Sequence, residues 1–224
     1  MKKNVFLLIV AICMMGSFSL MAQETEKKKE IKDWMHAVAY KKDGTTFEGY
    51  LKNITPALYG SYHLPDASDS TMIFTKGNKL FERTTRIPNS EIDSMVTWYD
   101  DKPDLKFKWE SRPANFAFGG SKPFVMEHPV MLLLLYKGEK VRGYLSSHPL
   151  YGFKYFFMLD DMPYAMAFMK PFQKFNERRR KTLLDTFYMY PEMEAYIKTL
   201  TKEEVKGNPF CVLKKLDEIL LINN

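Results

Sequence analysis

Polar and apolar positions alternate along much of the chain, and turn residues cut the alternation into short pieces. In "DGTTFEGYL" (43–51), Asp43-Gly44 suits a tight turn that needs positive φ. The strand that follows sets Phe47, Gly49 and Leu51 on one face and Glu48 and Tyr50 on the other. "KGEKVRGYL" (137–145) repeats the plan, with Lys137-Gly138 in the turn and Val141, Gly143 and Leu145 opposed to Arg142 and Tyr144. Further strands are expected at 58–64, 70–76, 79–86 and 94–99, and at 104–110, where Leu105, Phe107 and Trp109 alternate with Lys106 and Lys108. "PVMLLLLY" (129–136) is one buried strand long, and in "LYGFKYFFML" (150–159) Phe153, Tyr155 and Phe157 face away from Lys154 and Phe156. A glycine on the inward face of a strand marks a bend, a bulge or a close backbone approach. At Gly49 and Gly143 this means a tight corner of a small barrel or a ligand against bare backbone.

The likeness between the two hairpins extends in order along the chain. "PALYG" (56–60) meets "PLYG" (149–152), Met72, Phe74 and Lys76 meet Met166, Phe168 and Lys170, and "IDSM" (92–95) meets "LDTF" (184–187). This predicts a tandem duplication. The expected fold is mainly β: two related small curved-sheet or barrel-like modules, 34–110 and 129–190, joined by a Pro- and Gly-bearing connector at 111–128. Phe172, Phe175, Leu183 and Phe187 also fit a helix, but the repeat assigns that stretch to β structure. A pair of short helices is expected over 191–224. Pro191 opens the first, whose stripe is Met193, Tyr196, Ile197 and Leu200; the second starts near Asn208-Pro209 and aligns Leu213, Leu216, Ile219 and Leu220.

The "GYL" hairpin, the "MIF" strand, "IPNSEIDSM" and the tail "FYMYPEMEAYIKTL…LKKLDEIL" together resemble uncharacterised secreted proteins of Bacteroidetes. The resemblance implies the fold and an exported location. It carries no activity, cofactor or catalytic residue.

Residues 1–22 have the plan of a cleaved signal peptide: Lys2 and Lys3, the apolar run "VFLLIVAICMM", and Ala22 before the expected cut. The run is too short to span a membrane, which takes about 20 residues, and the rest of the chain offers no transmembrane segment. The mature protein is therefore expected in the periplasm or outside the cell. Loss of Lys2 and Lys3 takes Lys+Arg from 33 to 31 against 27 acids, a net charge of +4, which gives no reason to invoke nucleic acid. Only Cys211 remains, so no internal disulfide staples the fold, and stability must come from a core drawn from a chain that is 46% hydrophobic.

No catalytic motif stands out, and no cofactor or metal is expected. His36, His63, His128 and His148 lie in separate segments without zinc spacing, although His128 and His148 flank one hairpin. Cys211, beside Phe210 and Val212, reads as a small core residue. Asp100, Asp101, Asp104, Asp160 and Asp161 read as turn aspartates. The sharpest candidate is "NERRRKT" (176–182), where Arg178, Arg179, Arg180 and Lys181 stand together and the matching "ERTTRIP" (82–88) is far less basic. The bland reading is a solvated loop or charged edge strand; the functional one is contact with anionic lipid, an acidic polysaccharide or an envelope protein. The exposed remainder of the aromatics at 150–175 could stack on sugar rings. These features point to an exported, non-catalytic envelope binding protein; the alternative is a hydrolase acting on an envelope or dietary polymer, which would gather carboxylates on one concave surface.

Overall fold

The computed structural model describes residues 35–51, 55–56, 63–76, 83–119, 121–171 and 173–222. The expected signal peptide, most of the strand expected at 58–64 and the start of that expected at 79–86 lie outside them. The strands are β1 (Met35–Lys41), β2 (Thr46–Leu51), β3 (Thr55–Pro56), β4 (His63–Leu64), β5 (Thr71–Thr75), β6 (Thr84–Pro88), β7 (Ile92–Tyr99), β8 (Lys102–Arg112), β9 (Ala114–Asn115), β10 (Val130–Lys137), β11 (Val141–His148), β12 (Gly152–Leu159) and β13 (Ala165–Met169). The helices are α1 (Glu177–Thr186), α2 (Pro191–Thr199), α3 (Lys202–Gly207) and α4 (Cys211–Ile222). The protein is mainly β, with its helices at the C-terminal end.

Eleven strands form one curved sheet in the order β6-β5-β2-β1-β7-β8-β10-β11-β12-β13-β9, and β3 and β4 pair separately. All neighbours are antiparallel except β13 and β9. The connections force the curvature. β6 lies at the edge, with three strands between it and β7, yet only residues 89–91 join the two, so the intervening strands must curl back. At the other end β8 runs through Pro113 into β9, which pairs with β13, while the Ala165 N–H donates to the Pro113 carbonyl at 2.9 Å. The stretch 111–128 thus supplies a closing strand as well as a connection.

One apolar cluster fills the first curl, with Leu51, Met72, Phe74, Met95 and Trp109 at its centre. A second gathers Phe116, Val130, Leu132, Tyr144 and Phe156. β10 gives Met131 and Leu133 to the first and Val130 and Leu132 to the second, which is why its sequence is an unbroken apolar run rather than an alternation. Asn89 ties the halves together: its side-chain amide donates to the carbonyls of Asp69 (2.7 Å) and Pro129 (3.0 Å), and its carbonyl accepts from the Ser111 hydroxyl (2.6 Å).

β1–β2 and β10–β11 are both antiparallel hairpins, and Met72/Phe74 and Met166/Phe168 all fall on strands, but these strands belong to one continuous sheet, which does not establish two tandem modules. Further along the halves part company. Residues 92–95 open strand β7, whereas 184–186 close α1. The β assignment of this stretch is therefore corrected to a helix. Its local signals were sufficient: Asn176 caps α1 by accepting the Arg179 N–H (3.2 Å), with Glu177 in the first turn. The tail holds three helices rather than two, because Thr201 and Glu204 make a capping box that starts α3. Leu105, expected on a half-buried face, is 44% exposed, since burial along β8 begins only near Phe107.

The two hairpin turns also differ. Gly44 has φ of 83°, as Asp43-Gly44 predicts, but Gly138 does not adopt positive φ. Gly138 is needed for a different reason: a Cβ there would lie 2.4 Å from an Asp217 carboxylate oxygen. That carboxylate accepts the backbone N–H groups of Glu139 (3.1 Å), Lys140 (2.7 Å) and Val141 (3.0 Å), fastening α4 to the turn. At Gly143 the missing side chain makes room for α4 and the residue before it: a Cβ would meet Leu213 and Phe210, each at 2.8 Å. A bulge between Leu134 and Tyr136 lies opposite Gly143, so bend and close approach coincide, and the approaching group is the protein's own helix. The helices pack there on Val141, Phe157 and Phe168 through Leu183, Ile197, Leu213 and Leu216.

Gly143→Val will destabilise the protein by about 1–3 kcal/mol, the usual cost of overpacking, in urea unfolding. Gly207→Ala, whose new methyl group meets nothing within 4 Å, will stay within about 1 kcal/mol of the parent. Equal stability of Gly143→Val and the parent would refute the packing argument. Asp217→Ala will cost at least about 3 kcal/mol, because it removes three hydrogen bonds to a charged group that contribute about 1.5–3 kcal/mol each. A loss below about 0.5 kcal/mol, as for an ordinary surface change, would show that α4 is held by apolar packing alone.

Candidate functional site

The four cations of 178–181 do not form one patch, because the helix turns each about 100° from the last. Arg180 is a structural group. Its guanidinium lies over the Phe175 ring at 5.1 Å, pairs with Glu177 at 3.3 Å and donates to the carbonyls of Ile197 and Lys198 at the end of α2. Lys181 is exposed. Arg178 and Arg179 border a cavity of about 340 Å³ together with Phe118, Lys170 and Thr182. The bland reading of the cluster as a loop or edge strand is thereby replaced by a helix with one structural and two cavity-lining arginines.

The segment 170–176, between β13 and α1, is the shared wall of this cavity and a larger one of about 660 Å³. Met169, Lys170, Gln173 and Asn176 border both. The segment is held by Phe175, which is buried, and by Asn176, which caps α1. The larger cavity has Tyr155, Met169, Phe175, Val205 and Pro209 on its walls and Lys170, Lys174, Lys202 and Lys206 around it. Lys202 and Lys206 stand one turn apart on α3 and reach the same rim. No acidic residue lines either cavity, and none of Lys170, Lys174, Arg178, Arg179, Lys202 and Lys206 makes an ion pair among the described residues. The field is felt nearby. Burial, helped by the Arg178 charge, pulls Arg179 below its ordinary value. Burial and the Lys170 charge pull Lys154 down to about 8. Three rings oppose that pull: Phe118 (4.6 Å), Tyr151 (5.4 Å) and Phe116 (5.8 Å) face the Lys154 ammonium, which also donates to the Phe116 carbonyl.

Two carboxylates near strand β11 are engaged in ion pairs. Glu110, with a side chain 6% exposed, accepts the Tyr144 hydroxyl (2.9 Å) and pairs with Arg112 (3.2 Å), Arg142 (3.4 Å) and Lys108 (3.4 Å). Burial alone would raise its pKa, but Tyr144 and the three cations outweigh burial and hold it below the ordinary value of 4.5. Burial and the Glu110 charge push the Tyr144 hydroxyl far up. This is a clamp for an ionised carboxylate, not a proton donor poised near neutrality. Asp160 is taken by Arg142 at 3.1 Å. The sequence hinted at this network, since Arg142 and Tyr144 share a strand face, but nothing in it places Glu110 opposite them.

The remaining candidates have structural partners. His128 Nε2 is 3.2 Å from the Ala67 carbonyl, whereas His148 packs between Phe116 and Tyr151 and accepts the Leu150 N–H at 3.1 Å. His36 stacks on Trp98 and Tyr50. The His63 side chain lies outside the described residues. Burial pushes the half-buried Cys211 thiol up, the wrong direction for a nucleophile. Among the described residues no three His, Cys, Asp or Glu side chains are grouped to hold a metal, and no helix is long and apolar enough to cross a membrane. Phe153, Tyr155 and Phe157 all pack against cores; the exposed aromatics that meet are Phe124 and Tyr151, 4.9 Å apart. Comparison of the chain with protein-family models, with curated proteins and with solved structures gives no match.

Glu110 yields a pH test. Its folded pKa is lowered, so the stability it contributes is present above the ordinary glutamate pKa and is lost as pH falls through the folded value. Parent protein will be more stable than Glu110→Gln at pH 7 in urea unfolding, and the gap will close as pH drops below 4.5. A gap that stays constant with pH would show that the charge of Glu110 is irrelevant.

Proposed function

We propose that this chain is an exported, non-catalytic binding protein of the cell envelope whose partner is anionic. The partner docks where segment 170–176, the first turn of α1 and α3 meet. One observation carries this reading: among the described residues, six cations border two cavities with a common wall, and no carboxylate lines either. Some cations elsewhere are paired with a nearby carboxylate, as at Lys198–Glu194 and Lys215–Glu218. An anion-binding site needs cations left unpaired. Export rests on the plan of residues 1–22, and the partners that suit such a location are anionic lipid, acidic polysaccharide or an acidic face of an envelope protein.

The test is to compare the parent with the triple variant Lys170→Ser, Arg178→Ser, Arg179→Ser on immobilised heparin and on vesicles rich in phosphatidylglycerol. Parent binding will weaken with salt, since the screening length is about 10 Å at 0.1 M, and the variant will bind far less at low salt. Its melting temperature will stay close to the parent's, because none of the three charges makes an ion pair among the described residues and unpaired surface charges contribute little to stability. Arg180→Ala, by contrast, will lower the melting temperature by removing the tie to α2. Equal binding by parent and triple variant overturns the reading.

A further inference from the structure

The larger cavity differs from the smaller in degree: more of its wall is apolar, and its rim is cationic. Tyr155, Met169, Phe175, Val205 and Pro209 offer hydrocarbon and ring surface, and Lys170, Lys174, Lys202 and Lys206 stand around the opening without a single acid. Lys174, Lys202 and Lys206 are exposed, whereas Met169, Phe175 and Val205 are buried. The two chemistries are thus separated by depth. A purely ionic partner would satisfy the rim and leave the floor wet, and a purely apolar one would satisfy the floor and leave the lysines unmatched. The ligand complementary to both has an apolar tail and a negatively charged head.

We infer that this cavity binds a long-chain fatty acid, with its hydrocarbon tail on the Tyr155–Met169–Phe175–Val205 floor and its carboxylate among Lys170, Lys174, Lys202 and Lys206. The inference rests on the anionic-partner reading above and adds the ligand class. Size selects one chain: about 660 Å³ lies within the range of about 300–1,000 Å³ typical of pockets for a single small organic ligand, too small to enclose a two-chain lipid. The rim selects charge over a neutral alcohol, because ammonium groups gathered around an apolar opening repel one another until an anion sits between them. Burial of each further methylene tightens binding about fourfold, the equivalent of its transfer from water.

Titration calorimetry below the micelle concentrations, with butyrate, octanoate, palmitate, hexadecanol and hexadecyl phosphate, decides the matter. Affinity will rise steeply from butyrate to palmitate. Hexadecanol will bind at least about tenfold more weakly than palmitate, and hexadecyl phosphate no more tightly than palmitate. The variant Lys170→Ser, Lys174→Ser, Lys202→Ser, Lys206→Ser will lose at least about tenfold for palmitate, matched to one charge interaction of about 1.4 kcal/mol. Absence of any chain-length dependence overturns the inference without any variant needing to fold. Equal affinity of parent and quadruple variant for palmitate overturns it too, and hexadecyl phosphate binding far tighter than palmitate overturns the choice of a fatty acid. If heparin retention depends on Arg178 and Arg179 while the chain-length series is flat, only this inference fails. If both are flat, the anionic-partner reading falls with it.

Discussion

The Asp217 carboxylate, reaching from α4 into the turn between β10 and β11, decides where the helical layer sits. Three consecutive N–H groups, from Glu139 to Val141, converge on one carboxylate at 2.7–3.1 Å. A turn presenting three donors toward the protein would be a desolvation liability without that acceptor. With it, the turn becomes a socket, and Gly138 and Gly143 leave the space in which α4 and Phe210 fit. α4 then fixes the rest by contiguity. Val212, Leu213 and Leu216 share a cluster with Ile197 of α2, Val205 of α3 and Phe175 of the 170–176 segment. The two cavities exist because this layer rests on β11 to β13 at that height and register.

Charge is handled in two ways. Within the sheet, Glu110 is surrounded by Lys108, Arg112 and Arg142 and by the Tyr144 hydroxyl, so burial is offset on the spot. Arg180 is likewise absorbed, because the free carbonyls at the end of α2 accept its guanidinium. The same helical turn that orients Arg180 toward α2 turns Arg178 and Arg179 toward the smaller cavity. A run of four cations is thereby divided between structure and site by helix geometry alone.

Much of the β architecture was legible in the residues. The alternation placed Val141, Gly143 and Leu145 opposite Arg142 and Tyr144, and the apolar run at 129–136 announced a strand buried on both faces. Pro191 and the stripe from Met193 to Leu200 marked α2. Other features were hidden for physical reasons. α1 was concealed because its core contact is short: Leu183 and Thr186 are its buried residues, and Phe175 and Phe187 flank it rather than belong to it. Likeness to 82–95 then outweighed the local evidence of the Asn176 cap. The role of Gly138 was misread because a glycine required by a neighbour 79 positions away looks, in sequence, like one required by φ. Of the candidate site, Arg178 and Arg179 could be named in advance. Lys170, Lys174, Lys202 and Lys206 could not, because two segments far apart in sequence must pack before these lysines share a rim.

The chain's small excess of positive charge makes the arrangement more telling, not less. It has 33 basic against 27 acidic residues, an excess of six. The six cations around the two cavities equal that figure, so the remainder of the chain is balanced in acid and base. Random scatter of a mildly basic composition would place carboxylates here as often as elsewhere. A protein that needed these lysines and arginines only for solubility would gain as much from interspersed signs, which avoid mutual repulsion. Concentrating one sign around concave, partly apolar surface incurs that repulsion and focuses the field into the cavities. That arrangement is unfavourable for the free protein and favourable once an anion occupies it, which is the electrostatic form of a binding site.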